Sequence, residues 1–276
     1  MLLTATCPPS LQSELLSSLG ITDCHVIHAP TDRPEISYNV QVFETLDKAR
    51  DKLIEAALRW LEEKKVNATF RALVYCRSKE RVEELAALIG CKPFHADRPH
   101  EERTASFNDW VDGKQKFLVC SSLLGCGVDV EGVSVVFHFG TPWSILDFVQ
   151  ESGRAGRGGT PSVSVVFASR DEREPDGHEN LYGKRTMREW VLQNSLCRRT
   201  TLSSFLDGSN ITCMLLKGAV FCDVCRAQSS VPHPKKLIKL PTPEVPSNDT
   251  PAPRKLPHIP PTSVTYETDR RQAKSQ

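Results

Sequence analysis

The run FLVCSSLLGCGVDVEGVSVVFHFG at residues 117–140, followed at residues 150–159 by QESGRAGRGG, decides how the rest of the chain is read. Its apolar segments Phe117–Cys120 and Val133–Phe137 have the length and composition of buried strands. The second run sets Arg154 and Arg157 among Gly153, Gly156, Gly158 and Gly159. Glycines let the backbone turn tightly and leave both guanidinium groups open to fork onto phosphate oxygens, so the stretch points to phosphate handling.

Outward from that stretch the pattern is repetitive. Leu46, Ala49, Leu53, Ala57, Trp60 and Leu61 recur at helical spacing. ALVYC at Ala72–Cys76 reads as a strand, and Val82, Leu85, Ala86 and Ile89 line a helix that Gly90 ends. A short apolar stretch at Pro93–His95, a helix over Glu101–Val111 and a strand at Val163–Phe167 continue the alternation. Strands alternating with helices predict an α/β fold with a mostly parallel sheet and right-handed crossovers, ligands lying at the carboxyl ends of the strands. Ahead of all this, residues 1–35 read as a short apolar strand, a loop at Pro8 and Pro9, and a helix over Leu11–Leu19 closed by Gly20.

The arginine run and the strands before it resemble the last two motifs of the helicase core in the RecQ family of ATP-dependent 3′–5′ DNA helicases. That resemblance implies a RecA-like parallel sheet flanked by helices, the second of two such lobes. It makes Arg157 the arginine finger, Arg154 its phosphate-binding neighbour and Gln150 a residue close to ATP. Gly125, Gly127 and Asp129 match the family's Gly-x-Gly-x-Asp, which sets Gly127 and Asp129 near the nucleotide, with Cys126 in place of a larger apolar residue. Arg77, Ser78 and Lys79 fall where the family borders its single-stranded DNA, and Ser121 stands where a threonine grips the DNA backbone. His95 opens HADRPHEER, similar to a DNA-side His-Ala-Gly segment but with Asp97 for glycine. His138 looks like the family histidine that orients the following loop. Two simpler readings stay open: Ser78 as a helix cap and His95 as a structural histidine. Trp110 and Trp143 are assigned to core or lobe surface.

LLTATCPPSLQSELLSSLGI with DRPEISYNV resembles the family's third motif and the segment leading into the second lobe, which places Thr4, Ala5 and Thr6 between nucleotide cleft and DNA. The expected domains are thus 1–35, a remnant of the first lobe with its linker; 36–175, the second lobe; 176–229, a zinc-binding subdomain; and 230–276, a tail. No Gly-x-x-x-x-Gly-Lys-Ser/Thr occurs, and Asp171–Glu172 lies in SRDEREPDGHEN, a run that reads as a solvated loop. The chain therefore offers one wall of an ATP and Mg²⁺ site, its partners being DNA and a polypeptide carrying the first lobe. Hydrolysis by this chain alone is not expected. The rival functions are a noncatalytic DNA-binding or regulatory module on the same loops, and a fragment of a longer helicase of DNA repair and recombination.

TMREWVLQNSLCRRTTLSSFLDG reads as a helix with Trp190, Val191, Leu196 and Phe205 on its apolar face. Cys197, Cys213, Cys222 and Cys225 follow, the last two as CDVC, and four soft ligands suit tetrahedral Zn²⁺. This resembles the small helical zinc-binding subdomain of the RecQ family, except that eight residues, MLLKGAVF, separate Cys213 from Cys222. The insertion either loops out or removes Cys213 from the site. Arg198 and Arg199 read either as DNA-facing or as surface charge.

Composition narrows the classes. Basic and acidic residues nearly cancel, 35 against 34, so any DNA contact must come from local patches. No apolar run reaches the roughly 18 residues of a membrane span, and the first residues lack a signal-peptide pattern. An intracellular location follows, nuclear in a eukaryote, with the ten cysteines as thiols and metal ligands rather than disulfides. Beyond Ser229 the chain holds ten of its nineteen prolines and twice as many basic as acidic residues, which reads as a disordered basic tail.

Overall fold

The computed structural model describes residues 4, 6–63, 70–122, 130–172, 180 and 182–229. Most of the expected opening strand, Ala5, Gly125, Cys126, Gly127, Asp129 and the tail from residue 230 lie outside them.

Six strands form one sheet, β1 (Ile36–Phe43), β2 (Arg71–Cys76), β3 (Pro93–Phe94), β4 (Phe117–Cys120), β5 (Val133–Phe139) and β6 (Ser162–Ser169). Their order is β1-β6-β5-β2-β4-β3, and every pairing is parallel. The α/β reading and the strands expected from residue 72 onward are all present. β1 is an addition. Its sequence ISYNVQVF alternates with Ser37, Asn39 and Gln41, which look solvent-facing, yet these are 0%, 2% and 4% exposed. Ser37 donates to the Phe221 carbonyl, and Arg226 donates to Ser37 and to the Asn39 side-chain oxygen, so a later segment supplies partners for Ser37 and Asn39.

After α1 (Pro9–Ser18), the helices pack by face. α2 (Leu46–Glu63) and α3 (Lys79–Ile89) cover Ala72, Val74, Val135, Phe137 and Phe167. Alternate strand residues point the other way. There, Trp110 of α4 (His100–Val111) packs with Leu73, Tyr75, Leu118 and Val136, and its indole N–H donates to the Ala72 carbonyl at 3.0 Å. Burying an aromatic of this kind stabilises by roughly 2–3 kcal/mol. Beside it, α5 (Ile145–Ser152) and the later helices cover Ile36, Tyr38, Val166 and Ala168.

The run expected as one helix is two, α6 (Lys184–Leu192) and α7 (Arg198–Asp207), followed by α8 (Asp223–Gln228). The Gln193 side-chain carbonyl accepts from the N–H groups of Ser195 and Leu196, offering the backbone an alternative to the helical ladder. Trp190 and Val191 are buried as expected, whereas Leu196 falls in the break and is 57% exposed. All described residues belong to one compact unit, so the cysteine-bearing segment packs on the sheet instead of standing apart.

α5 starts after the carboxyl end of β5 and runs back to the amino end of β6. The backbone of the arginine loop therefore lies at the amino end of β5, where the Gly156 N–H donates to the carbonyl of Val133. This corrects the expectation that every ligand-facing loop lies at the carboxyl ends.

Candidate functional site

The Ser144 hydroxyl caps α5 by accepting from the Asp147 N–H, and Ile145, Phe148 and Ser152 fix its inner face. The chain then turns through residues 153–159. At Gly156 φ is +69°, and a Cβ there would stand 2.6 Å from the Ser162 hydroxyl oxygen and 2.8 Å from Cγ of Glu35, so only glycine fits. Arg33, from the segment before β1, donates to the carbonyls of Gly153 and Ala155, both at 2.9 Å, while its Nε is paired with Glu35. A charged fork thus grips the main chain on both sides of Arg154.

The two arginines differ in setting. Arg157 is half-buried, whereas Arg154 is 7% exposed. The sequence leaves both open. The structure encloses Arg154 because it lies between Ser152 and Ala155, which continue the inner face of α5 at 0% exposure. Burial pushes the Tyr75 phenol well above its ordinary value, and the nearby charge of Arg154 opposes that rise. Gln150 is exposed, and its amide donates to the Thr6 hydroxyl at 3.4 Å, which joins Thr6 to α5. His138 is 2% exposed, flanked by Tyr75 and Phe148, with Nε2 3.1 Å from a Glu151 carboxylate oxygen. The ring packs between these aromatics, and neither of its nitrogens completes a hydrogen bond among the described residues.

The other predicted residues gather at the carboxyl ends of β2, β4 and β3, which are neighbours in the sheet. Arg77 lies with its guanidinium 3.8 Å from the centre of the Trp143 ring and 3.6 Å from Glu172. Burial lowers its pKa, and Glu172 works against that. Glu172 is not a solvated loop residue: its carboxylate is 5% exposed and accepts from the N–H groups of Thr141 and Ser169. Ser78 caps α3 by accepting from the Arg81 N–H, and Lys79 pairs with Asp97 at 2.6 Å. Ser121 is half-buried just beyond β4, its N–H donating to the Phe94 carbonyl. His95 is 5% exposed and 2.6 Å from Glu83, which Arg98 also binds. Gly127 and Asp129 lie outside the described residues.

The four cysteines converge. The sulfurs of Cys197, Cys213, Cys222 and Cys225 all lie within 4.8 Å of one another, with Cys197 3.6 Å from Cys213 and 3.9 Å from Cys222. A disulfide would need about 2.05 Å. Tetrahedral coordination with metal–sulfur bonds of about 2.3 Å sets sulfurs about 3.8 Å apart. The N–H groups of Cys213, Arg198, Cys222 and Cys225 each donate to one of these sulfurs, which favours thiolates. Hydrogen bonds from Cys213 and Cys222 pull Cys197 well down, while burial pushes Cys225 up to about 12. The neighbouring sulfurs and burial push Cys213 and Cys222 up as well, so without a cation these two and Cys225 stay thiols; four sulfurs at this spacing fit a soft tetrahedral metal that would hold them as thiolates. The insertion loops out: Met214 and Leu215 are 73% and 70% exposed, and Cys213 stays in place at 2%.

Arg198 and Arg199 are neither DNA-facing nor surface charge, being 3% and 2% exposed. Arg198 binds Asp223 and the carbonyls of Trp190 and Gln193. Arg199 donates to the carbonyls of Arg33, Pro34, Ile36 and Val220. These two, with Arg33 and Glu172, are the site-supporting residues that sequence reading missed. The sequence singled out Arg198 and Arg199 after Cys197 and the Arg-Pro of DRPEISYNV, but assigned none of them these partners.

Residues 49–159 match the helicase conserved C-terminal domain. The chain is 29% identical over 244 residues to the ATP-dependent DNA helicase Q1 assigned in Caenorhabditis briggsae, covering 83% of this chain and 38% of that protein. It is 32% identical over 180 residues to ATP-dependent DNA helicase Q5 of Rattus norvegicus, covering 62% and 18%. The chain thus spans well under half the length of these relatives. Among solved structures, S. cerevisiae Dbp5 bound to RNA and ADP BeF3 superposes with a TM-score of 0.52 at 15% identity, over 68% of this chain and 48% of that one. At that identity the likeness shows the fold alone.

Proposed function

With the chain RecQ-like in its helicase C-terminal half, we propose that it is the second RecA-like lobe of an ATP-dependent 3′–5′ DNA helicase of DNA repair and recombination. One observation carries this most: the loop bearing Arg157 is held rigidly by Arg33 and by the Gly156 turn while Arg157 itself is left half-buried. A guanidinium on such a fixed frame stabilises the charge that spreads over a transferring phosphoryl group without reorganising. In this reading Arg154 fixes the inner side of the same loop, Gln150 lies near the nucleotide, and Gly127 and Asp129 approach it. ATP with Mg²⁺ comes from a polypeptide carrying the first lobe. Arg77, Ser78, Ser121 and His95 border single-stranded DNA along the carboxyl edge, and the protein works inside the cell, in the nucleus if the cell is eukaryotic.

The test is reconstitution. Mixing the purified chain with a separate first-lobe polypeptide and single-stranded DNA should give ATP hydrolysis that neither component shows alone. Binding of DNA without turnover in that mixture would instead support a noncatalytic module, the reading favoured by the enclosure of Arg154.

Cys197, Cys213, Cys222 and Cys225 would hold one Zn²⁺, which when bound ties α7 and α8 together and so contributes folding energy directly. About one zinc per chain is expected by elemental analysis. Chelation should lower the melting temperature by about 10 °C, equivalent to ~3 kcal/mol for a chain of this size. A chain that melts unchanged after chelation would exclude a structural metal.

A further inference from the structure

Two guanidinium groups, those of Arg77 and Arg81, approach the Glu172 carboxylate beside an exposed indole, and the reading above leaves that indole without a role. Trp143 is 45% exposed, whereas Trp60, Trp110 and Trp190 are 3%, 0% and 0% exposed. It sits just past the carboxyl end of β5, at the mouth of a cleft lined by Tyr75, Arg77, Ser122, His138 and Glu151. Arg77 covers one ring face at 3.8 Å, so the exposed area belongs to the other face and the ring edge. Stacking on Arg77 fixes the indole in one orientation before any ligand arrives, which lowers the entropy cost of binding.

Charge around the ring is unbalanced. Arg81 approaches Gly140 beside Glu172, and its guanidinium lies 5.4 Å from the centre of the Phe139 ring. Arg188 donates to the Arg170 carbonyl, next to the same carboxylate segment, and Arg77 feels the charges of both Arg81 and Arg188. Glu172 and Glu151, which also lines the cleft, offset two of the three. One positive charge remains beside a flat aromatic surface, a combination that binds a base and its phosphate in a sequence-tolerant way.

We propose that Trp143 is a stacking platform for one base of single-stranded DNA, with the surplus positive charge of Arg77, Arg81 and Arg188 attracting the adjoining phosphates. The inference rests on the DNA-track reading and adds a base contact that backbone-gripping hydroxyls do not supply.

Because Trp143 alone among the four tryptophans is exposed, its emission reports the site. Titrating the intact chain with oligothymidylate of about 16 nucleotides should quench tryptophan fluorescence in step with the anisotropy of an end-labelled copy. Trp143→Ala should weaken binding by about 5- to 100-fold, and Trp143→Phe should recover most of it. Anisotropy that shows binding with no change in emission, or unchanged affinity in Trp143→Ala, overturns the platform and leaves the DNA-track reading standing. No binding of the oligonucleotide by the parent chain overturns both.

Discussion

In the reconstituted pair, Arg157→Ala is expected to lower kcat for ATP hydrolysis by about 10³- to 10⁵-fold, the usual worth of an arginine finger. The main-chain frame of the loop should persist in that variant, so it should melt closer to the parent than Arg154→Ala does. Arg157 is half-buried, and the loop that carries it is fixed by main-chain contacts: Arg33 on the carbonyls of Gly153 and Ala155, and the Gly156 N–H on Val133. Removing the side chain leaves those bonds in place. Arg154→Ala provides the contrast, since Arg154 is 7% exposed against Tyr75 and its loss opens a cavity, so that variant should melt lower as well as turn over more slowly. Steady-state hydrolysis and thermal melting of the two variants separate the roles. A loss of less than tenfold in Arg157→Ala would remove the finger assignment.

Arg199→Ala is expected to cost about 3–5 kcal/mol of stability, a fall of roughly 10–15 °C in melting temperature. Arg199 is 2% exposed and donates to four carbonyls, those of Arg33, Pro34, Ile36 and Val220, at 2.6–3.3 Å. An alanine strips a charged donor from each of these carbonyls and empties the buried space the side chain fills; those of Arg33 and Pro34 keep the N–H groups of Ile36 and Val220, so the cost falls on the carbonyls of Ile36 and Val220 and on the cavity. Arg199→Lys keeps the charge, but an ammonium has three donors without the planar fork, so about half the loss should remain. Melting within 2–3 °C of the parent for Arg199→Ala, on the order of 1 kcal/mol, would show that the carbonyls find other partners.

Much of the fold is legible because it depends on local periodicity. The strands at Ala72–Cys76 and Val163–Phe167 are apolar runs buried on both faces, and α2 shows its stripe of Ala49, Leu53, Ala57 and Trp60 in the sequence. β1 escapes notice because Ser37, Asn39 and Gln41 find their surroundings in residues far along the chain, among them Phe221 and Arg226. The same distance hides Arg199, whose acceptors lie more than 160 positions upstream apart from Val220. A charged residue reads as surface until its partners are known. The cysteine site is legible from identity and spacing, yet whether Cys213 belongs to it depended on where an eight-residue insertion goes, and spacing does not fix that.

Arg33 holds main-chain oxygens rather than side chains, and it lies upstream of the first strand. Mechanical load applied to the polypeptide ahead of Ile36 would thus pass from Thr31 on Asp207 to Arg33 and tug on the arginine loop before it strained any strand of the sheet. In a pulling experiment those tethers should yield before the sheet, which stays intact behind them.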